Sequence, residues 1–187
     1  PMMLADERLI EIIRVFSELE QIKVIRLGTR IPVMFPDRIT GQLAEKLAER
    51  FWPGPLTMIL PKRKEIPEIT SGGLDTVGIR MPSHPVARAL IQLSGVPSAA
   101  PSANISGYPS PTTAQHVMRD MQGKIAAVVD GGACSVGVES TVIALEPNGT
   151  VRILRPGFVT KEMLEEVAPE VTLDPAILHQ LQEGQTV

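Results

Sequence analysis

Hydroxyl, amide and guanidinium side chains are concentrated in four loops, each of which follows a run that predicts a short β-strand. The loops are residues 80–85, 101–110, 131–141 and 155–157. Arginine side chains and clustered hydroxyls are well suited to holding a carboxylate or a phosphate. Because ligands of α/β sheets bind where strands end, these loops together predict an anion-binding site assembled from several turns.

Each loop also has a structural explanation that the sequence leaves open. Arg80 can be a surface arginine beside the helix-starting Pro85, and Arg155 can belong to an ordinary tight turn. The Ser and Asn side chains of 101–110 can satisfy their own backbone as Asx and Ser turns. Two strand-end arginines together with two hydroxyl-rich loops favour the binding interpretation over the structural one.

Several common reaction centres do not fit the sequence. The glycine-rich stretch 131–141 lacks the Gly-Lys-Ser/Thr of a P-loop, and it leads into a strand where a dinucleotide site needs a helix. The residues around Ser140 lack the Gly-x-Ser-x-Gly turn of hydrolases. The three histidines lie far apart without paired cysteines, so a zinc site is not expected, and Cys134 is expected to be a half-buried thiol.

Alternating short strands and helices are predicted to position these loops, which favours an α/β fold. The predicted strands are 23–27, 56–60, 76–80, a short apolar run at 98–100, 125–129, 141–145 and 151–154, and the last two flank a Pro-Asn-Gly hairpin turn. The predicted helices are 6–20, 40–51, 85–93, one that begins after Thr112 or Thr113, and two short ones near the carboxy terminus. The continuously apolar run 125–129 predicts a strand covered on both faces.

The overall composition predicts a globular protein in a reducing compartment. The chain has 187 residues, is 43% hydrophobic, carries a net charge of −3 and contains one cysteine. The apolar fraction argues against disorder, and the charge removes any general electrostatic attraction to nucleic acid. No charge-free run approaches the ~20 residues of a membrane helix, and no export leader is recognisable. A cytoplasmic location without membrane association is therefore expected.

Five motifs occur in a fixed order: FWPGPLT (51–57), GIRMP (78–82), APSANISG (100–107), VESTV (138–142) and RPG (155–157). Over about residues 41–187 this series resembles the YrdC-like threonylcarbamoyl-adenylate synthase family. The resemblance implies a twisted mixed α/β sheet with flanking helices around a concave cavity. It also implies a nucleotidyltransferase that makes L-threonylcarbamoyladenylate from L-threonine, bicarbonate or CO2, and ATP, releasing pyrophosphate. That product serves the N6-threonylcarbamoyladenosine modification of tRNA.

The resemblance also assigns site residues, none of which forms a covalent intermediate. The positions that match the nucleotide site of the family are Thr76, Ser102, Asn104, Ser110 and Arg155. Arg80 and Ser140 match positions near L-threonine and its carboxylate. ATP is then a substrate, with Mg²⁺ held on its triphosphate mainly by phosphates and water. RNA and other tRNA-modification proteins are candidate partners.

Residues 1–40 are expected to form a separate segment ahead of the synthase domain (41–187). They contain neither the Pro-Thr-Glu-Thr-like stretch nor the Lys-x-Arg pair of the family, and 4–9 and 24–33 instead resemble one helix–strand unit of the lysine 2,3-aminomutase family. The radical chemistry of that second family needs three clustered cysteines, and the chain has one. We therefore expect a chimera joined near Thr40. The alternative to catalysis is a truncated domain that binds nucleotide or RNA.

Overall fold

The structure, a computed structural model, describes residues 41–177, and this stretch contains five strands, five helices whose bounds are given below, and helical residues at 175–177. The strands are β1 (Leu56–Pro61), β2 (Thr76–Ile79), β3 (Thr141–Leu145), β4 (Val151–Arg155) and β5 (Val171–Leu173). The helices are α1 (Gln42–Phe51), α2 (Glu68–Ser71), α3 (Pro85–Ser94), α4 (Ala114–Met121) and α5 (Lys161–Glu165).

The five strands form one mixed sheet in the order β2-β1-β3-β4-β5. Strand β1 is antiparallel to β2 and parallel to β3, β3 is antiparallel to β4, and β4 is parallel to β5. Consequently β1 and β3 begin at the same end of the sheet at which β2 and β4 finish, and we call this end the site end. The predicted α/β fold with a mixed sheet and flanking helices is confirmed.

The main hydrophobic core covers one face of the sheet. Leu56 and Met58 of β1 point into it from alternate positions, and Leu47 of α1 and Leu164 of α5 cover them; all four are fully buried. Burying each of these side chains stabilises the fold by about 1.5–3 kcal/mol. Thr57, which lies between Leu56 and Met58 in an extended strand, must face the opposite side of the sheet. The site end therefore presents its polar side chains on the face away from this core.

Local signals correctly placed the ends of two helices. Helix α3 begins with Pro85 and ends at Gly95, whose φ of 64° lies in the left-handed region that glycine adopts at little cost. Before α4, the Thr113 side chain accepts a hydrogen bond from the backbone N–H of His116, so Thr113 rather than Thr112 is the N-cap. No helix between residues 41 and 177 is long and apolar enough to cross a membrane.

Residues 125–129 do not form the predicted buried strand. The structure gives them no strand, and Ile125 and Val129 are 37% and 45% exposed. A strand needs a neighbour for its backbone hydrogen bonds, and none of the five described strands pairs with this segment. Strand β5 and helix α2 were not predicted, because three or four residues carry too little periodicity. The predicted helix 6–20 and strand 23–27 lie outside the described residues.

Candidate anion-binding site at one end of the sheet

Strand register brings the two strand-end arginines to the same end and the same face of the sheet. Arg80 directly follows β2, and the pairing of β2 with β1 places it opposite Thr57. The pairings of β3 place Val142 between Thr57 and Arg155. Arg80, Thr57, Val142 and Arg155 therefore form one row across four strands, with the two arginines at its ends. Three strand spacings of about 4.8 Å place the backbones of the two arginines about 14 Å apart. A gap of this size suits a ligand with anionic groups at two places.

Arg155 is held in a defined orientation by Ser140, which precedes β3. Its Nε and Nη2 donate hydrogen bonds to the Ser140 backbone oxygen at 3.3 and 2.7 Å, and Nη2 also donates to the Ser140 hydroxyl at 3.1 Å. These bonds use the planar fork of the guanidinium and fix its rotation. The Arg155 side chain is 24% exposed, so about three quarters of it is covered by protein and the rest faces the surface of the site.

A second hydroxyl supports Ser140 from below. The Thr57 Oγ1 and the Ser140 Oγ lie 3.0 Å apart, and these residues are only 5% and 3% exposed. Because the Ser140 Oγ accepts a hydrogen bond from Arg155, its own proton is polarised and well placed to be donated to Thr57. The buried chain Thr57–Ser140–Arg155 thus connects the middle of the sheet to a cation at its surface.

The Glu139 carboxylate connects Arg155 to the hydroxyl-rich loop. Arg155 Nη1 forms an ion pair with the Glu139 Oε2, while the Ser110 Oγ donates to the Glu139 Oε1 at 2.6 Å. The short O–H···O distance is typical of a hydrogen bond to an ionised carboxylate. Two residues that the family resemblance matches to a nucleotide site therefore share one carboxylate of the protein.

Backbone and histidine contacts hold the remaining loops at the site end. These hydrogen bonds run from the Gly54 N–H to the Met81 oxygen (2.8 Å), between the His84 Nε2 and the Gly131 oxygen (3.1 Å), and from the Cys134 N–H to the Thr112 oxygen (2.9 Å). They join the turn before β1, the loop after β2 and the glycine-rich loop to one another. The four loops identified in the sequence are thus parts of one surface.

Gly157 allows the RPG turn to lie directly against residues 139–141, where the chain enters β3. A Cβ atom at this position would come within 2.3 Å of the Glu139 oxygen and 2.5 Å of the Thr141 nitrogen. Both are backbone atoms, so they have little freedom to move. Only glycine fits here, and the close approach sets the position of Arg155 relative to Ser140.

The loop 101–110 contributes residues in different ways. Asn104 donates its amide N–H groups within its own loop, to the oxygens of Ile105 (2.9 Å) and Tyr108 (2.8 Å), so its side chain binds the local backbone as a donor rather than through the Oδ1 acceptor of an Asx turn. Its half-buried side chain shapes the loop, and its Oδ1 is buried without a hydrogen bond in the described structure. Ser102 is half-buried at the start of the loop, whereas Ser110 is exposed and bound to Glu139.

Thr76 lies at the opposite end of β2 from Arg80. It pairs with Pro61 at the finish of β1 and is exposed. Four residues of strand separate it from Arg80, which corresponds to about 13 Å. The geometry therefore groups Arg80, Ser140 and Arg155 at the site end and does not bring Thr76 to them.

Neither a protein-held metal site nor the apolar cavity belongs to this surface. Among residues 41–177, no group of three His, Cys, Asp or Glu side chains is arranged to hold a metal ion. A cavity of about 340 Å³ lies beside α4, between Met118, Met121 and the segment that includes Ala127. None of the predicted site residues lines it.

Sequence reasoning missed Thr57 and Glu139 as parts of the site. Both occur inside motifs that were recognised, FWPGPLT and VESTV, but their partners lie 83 and 29 residues away along the chain. The available signal was a polar residue within a buried apolar strand for Thr57, and the presence of an acid in a basic site for Glu139.

The whole sequence was compared with protein families. The model of the Sua5–YciO–YrdC family, described as "Telomere recombination", matches residues 20–157. The chain belongs to this family. The match includes residues 20–40, although those residues lie outside the described structure. The expected aminomutase resemblance of 1–40 is not shown by these comparisons and stays a prediction.

Individual relatives agree with membership of the Sua5–YciO–YrdC family. The threonylcarbamoyl-AMP synthase of Pyrococcus abyssi is 55% identical over 134 residues, covering 72% of this chain and 39% of that protein. The enzyme of the same name from Bacillus subtilis is 51% identical over 147 residues, covering 76% of this chain and 42% of that protein. This chain therefore spans about two fifths of the length of these two curated relatives.

A solved structure of the family supports the fold. The crystal structure of P. abyssi Sua5 complexed with L-threonine aligns with a TM-score of 0.70 and 43% identity, covering 89% of this chain and 50% of that chain. Since most of this chain takes part in the alignment, the TM-score shows that the two chains share this fold.

Proposed function

We propose that this chain carries the site of an L-threonylcarbamoyladenylate synthase, using L-threonine, bicarbonate or CO2, and ATP, and releasing pyrophosphate. The supporting observation is the row of residues across four strands that has Arg80 at one end and Arg155 at the other, on one face of the sheet. Ser140 is held beside Arg155 by a hydrogen bond. Two arginines whose backbones lie about 14 Å apart can hold the carboxylate of an amino acid and the phosphates of a nucleotide.

The reaction needs alignment more than a reactive side chain. The threonine nitrogen adds to CO2 and loses a proton, which gives a carbamate, and a carbamate oxygen then attacks the α-phosphorus of ATP while pyrophosphate leaves. Both reactants are anionic, so the protein must bring them together and offset the charge that develops on the phosphoryl oxygens. In this proposal Arg80 and Ser140 serve the threonine side. The nucleotide side is served by Ser102, Asn104, Ser110 and Arg155. Thr76, at the opposite end of β2, is proposed for the nucleotide side on the family resemblance alone.

Magnesium enters this proposal as part of the substrate. At the site end the structure places the Glu139 carboxylate against Arg155, where it is bound to Arg155 and Ser110. One such carboxylate does not make a protein cage for Mg²⁺, whereas a triphosphate and water provide the oxygen ligands that the ion prefers. The residues present thus fit MgATP. Delivery of the product to tRNA modification in the cytoplasm, with RNA or other modification proteins as partners, completes the proposal.

Pyrophosphate release is the direct test of catalysis. We expect release that depends on both L-threonine and bicarbonate, and no release above background at high protein concentration would reject catalysis by this chain. Binding of ATP without release would instead favour the alternative, a nucleotide-binding domain without activity. Retention of RNA on a filter that weakens as salt rises would favour RNA binding, and absent or salt-independent retention would argue against it.

Arg155 provides the residue-level test, and Arg152 of the same strand is a matched control. Arg152 forms ion pairs with Glu146 and Asp174 instead of lining the site. Since hydrogen bonds to charged groups contribute about 1.5–3 kcal/mol, Arg155→Ala should weaken ATP binding about 10- to 100-fold. Arg152→Ala should leave the affinity nearly unchanged. Equal effects of the two substitutions would remove Arg155 from the site.

Residues 1–40 form a further part of the proposal, as a helix–strand segment docked on the synthase domain (41–187), although the family match from residue 20 argues against a foreign origin for 20–40. Limited proteolysis followed by mass spectrometry tests the docking, because a packed segment resists cleavage at its junction. Rapid removal of residues 1–40 with the remainder left intact would show that this segment does not dock.

A further inference from the structure

The Glu139 side chain lies where two predicted nucleotide-binding groups meet. It bridges Arg155 Nη1 and the Ser110 hydroxyl with its two carboxylate oxygens, the second at 2.6 Å from the Ser110 Oγ. A carboxylate that uses both oxygens on a guanidinium and a hydroxyl presents the same pattern of acceptors as two oxygens of a phosphate. The protein thus contains its own anion at the point where a phosphate would bind.

The bonds to Ser140 determine which part of Arg155 a ligand can reach. Nε and Nη2 of the guanidinium are directed to Ser140, and Nη1 is directed to Glu139. Because Ser140 is 3% exposed and lies beneath the arginine, its side of the guanidinium faces the protein. A phosphate that approaches Arg155 from the surface therefore reaches Nη1, the nitrogen that Glu139 binds.

Glu139 can leave this position without disturbing the fold. Its side chain is 43% exposed, so its carboxylate can turn into water. Its backbone oxygen accepts a hydrogen bond from the Phe158 N–H at 3.3 Å, which keeps the chain in place whatever the side chain does. Releasing this ion pair costs little, because water already screens the exposed part of the Glu139 carboxylate.

We infer that Glu139 is an internal competitor for phosphate, whose carboxylate must be displaced from Arg155 and Ser110 before a nucleotide binds there. This inference rests on the proposed function and deepens it. Every ligand that uses this point on Arg155 loses affinity by the same factor, so weakly held anions stay unbound while a triphosphate with further contacts still binds. Glu139 thereby leaves the ratio of affinities among phosphate ligands unchanged and sets a minimum affinity that an anion must exceed to bind at this point.

The test compares Glu139→Gln with Glu146→Gln. Glutamine keeps an acceptor for Ser110 and removes the charge that competes with phosphate. Glu146, at the other end of β3, pairs with Arg152 at 2.9 Å, so its substitution changes the net charge equally and also removes one arginine ion pair. ATP, inorganic triphosphate and adenosine are titrated calorimetrically into the full chain and both variants at low salt, after thermal unfolding has shown each protein to be folded.

We expect Glu139→Gln to bind ATP and inorganic triphosphate about two- to fivefold more tightly than the parent chain, as the loss of a half-exposed competing pair implies. Glu146→Gln and the adenosine titrations should show no gain. ATP binding by Glu139→Gln alone would support the inference most strongly. Binding by the parent chain with no gain, or a loss, in Glu139→Gln overturns the inference and leaves the proposed function intact. No binding of ATP by any of the three proteins overturns both.

Discussion

Replacing Gly157 by alanine tests how the turn after β4 fixes the site. The added Cβ would lie 2.3, 2.5 and 2.7 Å from backbone atoms of Glu139, Thr141 and Ser140, respectively. These atoms belong to the strand that enters the sheet beside β1, so the turn and the strand must separate by about 1 Å to reach van der Waals contact. Overpacking of this kind costs about 1–3 kcal/mol, and three backbone contacts place Gly157→Ala at the upper end.

Gly137→Ala is the matched control in the neighbouring loop. Nothing lies within 4 Å of a Cβ at Gly137, and its φ is not in the left-handed region. The substitution should therefore be neutral or stabilise the fold by up to about 1 kcal/mol, because alanine reduces the conformational entropy of the unfolded chain. The two variants make the same chemical change, so their difference reports the contact at Gly157.

Thermal and urea unfolding measure the expected difference. At about 2–4 °C for each kcal/mol in a chain of this size, a loss near 3 kcal/mol lowers the Tm by about 6–12 °C. Below the transition, folded Gly157→Ala should also bind ATP less tightly, because Arg155 ends β4 next to this turn. Unfolding of Gly157→Ala within about 0.5 kcal/mol of Gly137→Ala would refute the packing argument. Unchanged ATP affinity would refute the link to Arg155.

Three further substitutions test the supports of the site and the fold. Thr57→Val should destabilise the chain by about 1–3 kcal/mol in urea unfolding, because the buried Ser140 hydroxyl loses a partner, and Thr57→Ser should recover most of this loss. Thr113→Ala should cost about 1 kcal/mol of unfolding free energy through the lost N-cap, and Thr113→Ser should cost much less. Trp52→Phe removes the indole N–H bond to the Leu56 oxygen (2.8 Å) and should lower the Tm by a few degrees; an unchanged Tm would contradict this.

Several elements could be predicted because their signals are local. Pro85 and Gly95 mark the ends of α3 through their own backbone preferences, and Thr113 marks α4 through a bond three residues away. The hairpin between β3 and β4 follows from its turn residues. In each case the determining interaction spans only a few residues, so it can be predicted from the sequence.

The strand predicted at residues 125–129 was wrong because strand formation depends on residues that are distant in the sequence. Its apolar composition indicated burial, but a strand also needs a neighbouring strand in register, and composition carries no information about that neighbour. Thr76 shows the same limit within the site. The family resemblance groups it with the nucleotide residues, and only the antiparallel pairing of β2 with β1 shows that it lies at the far end of β2 from Arg80.

The sequence by itself determined the family, the mixed α/β class and the kinds of side chain at the site, because ordered motifs and local turns carry that information. Only the tertiary structure decided that Arg80 and Arg155 share one row, that Thr57 supports Ser140, and that Glu139 holds Arg155 and Ser110. Those relations depend on strand register and on the approach of Gly157 to a distant strand. Contacts between residues far apart in the chain are set by the packing of the whole sheet, which no single motif contains.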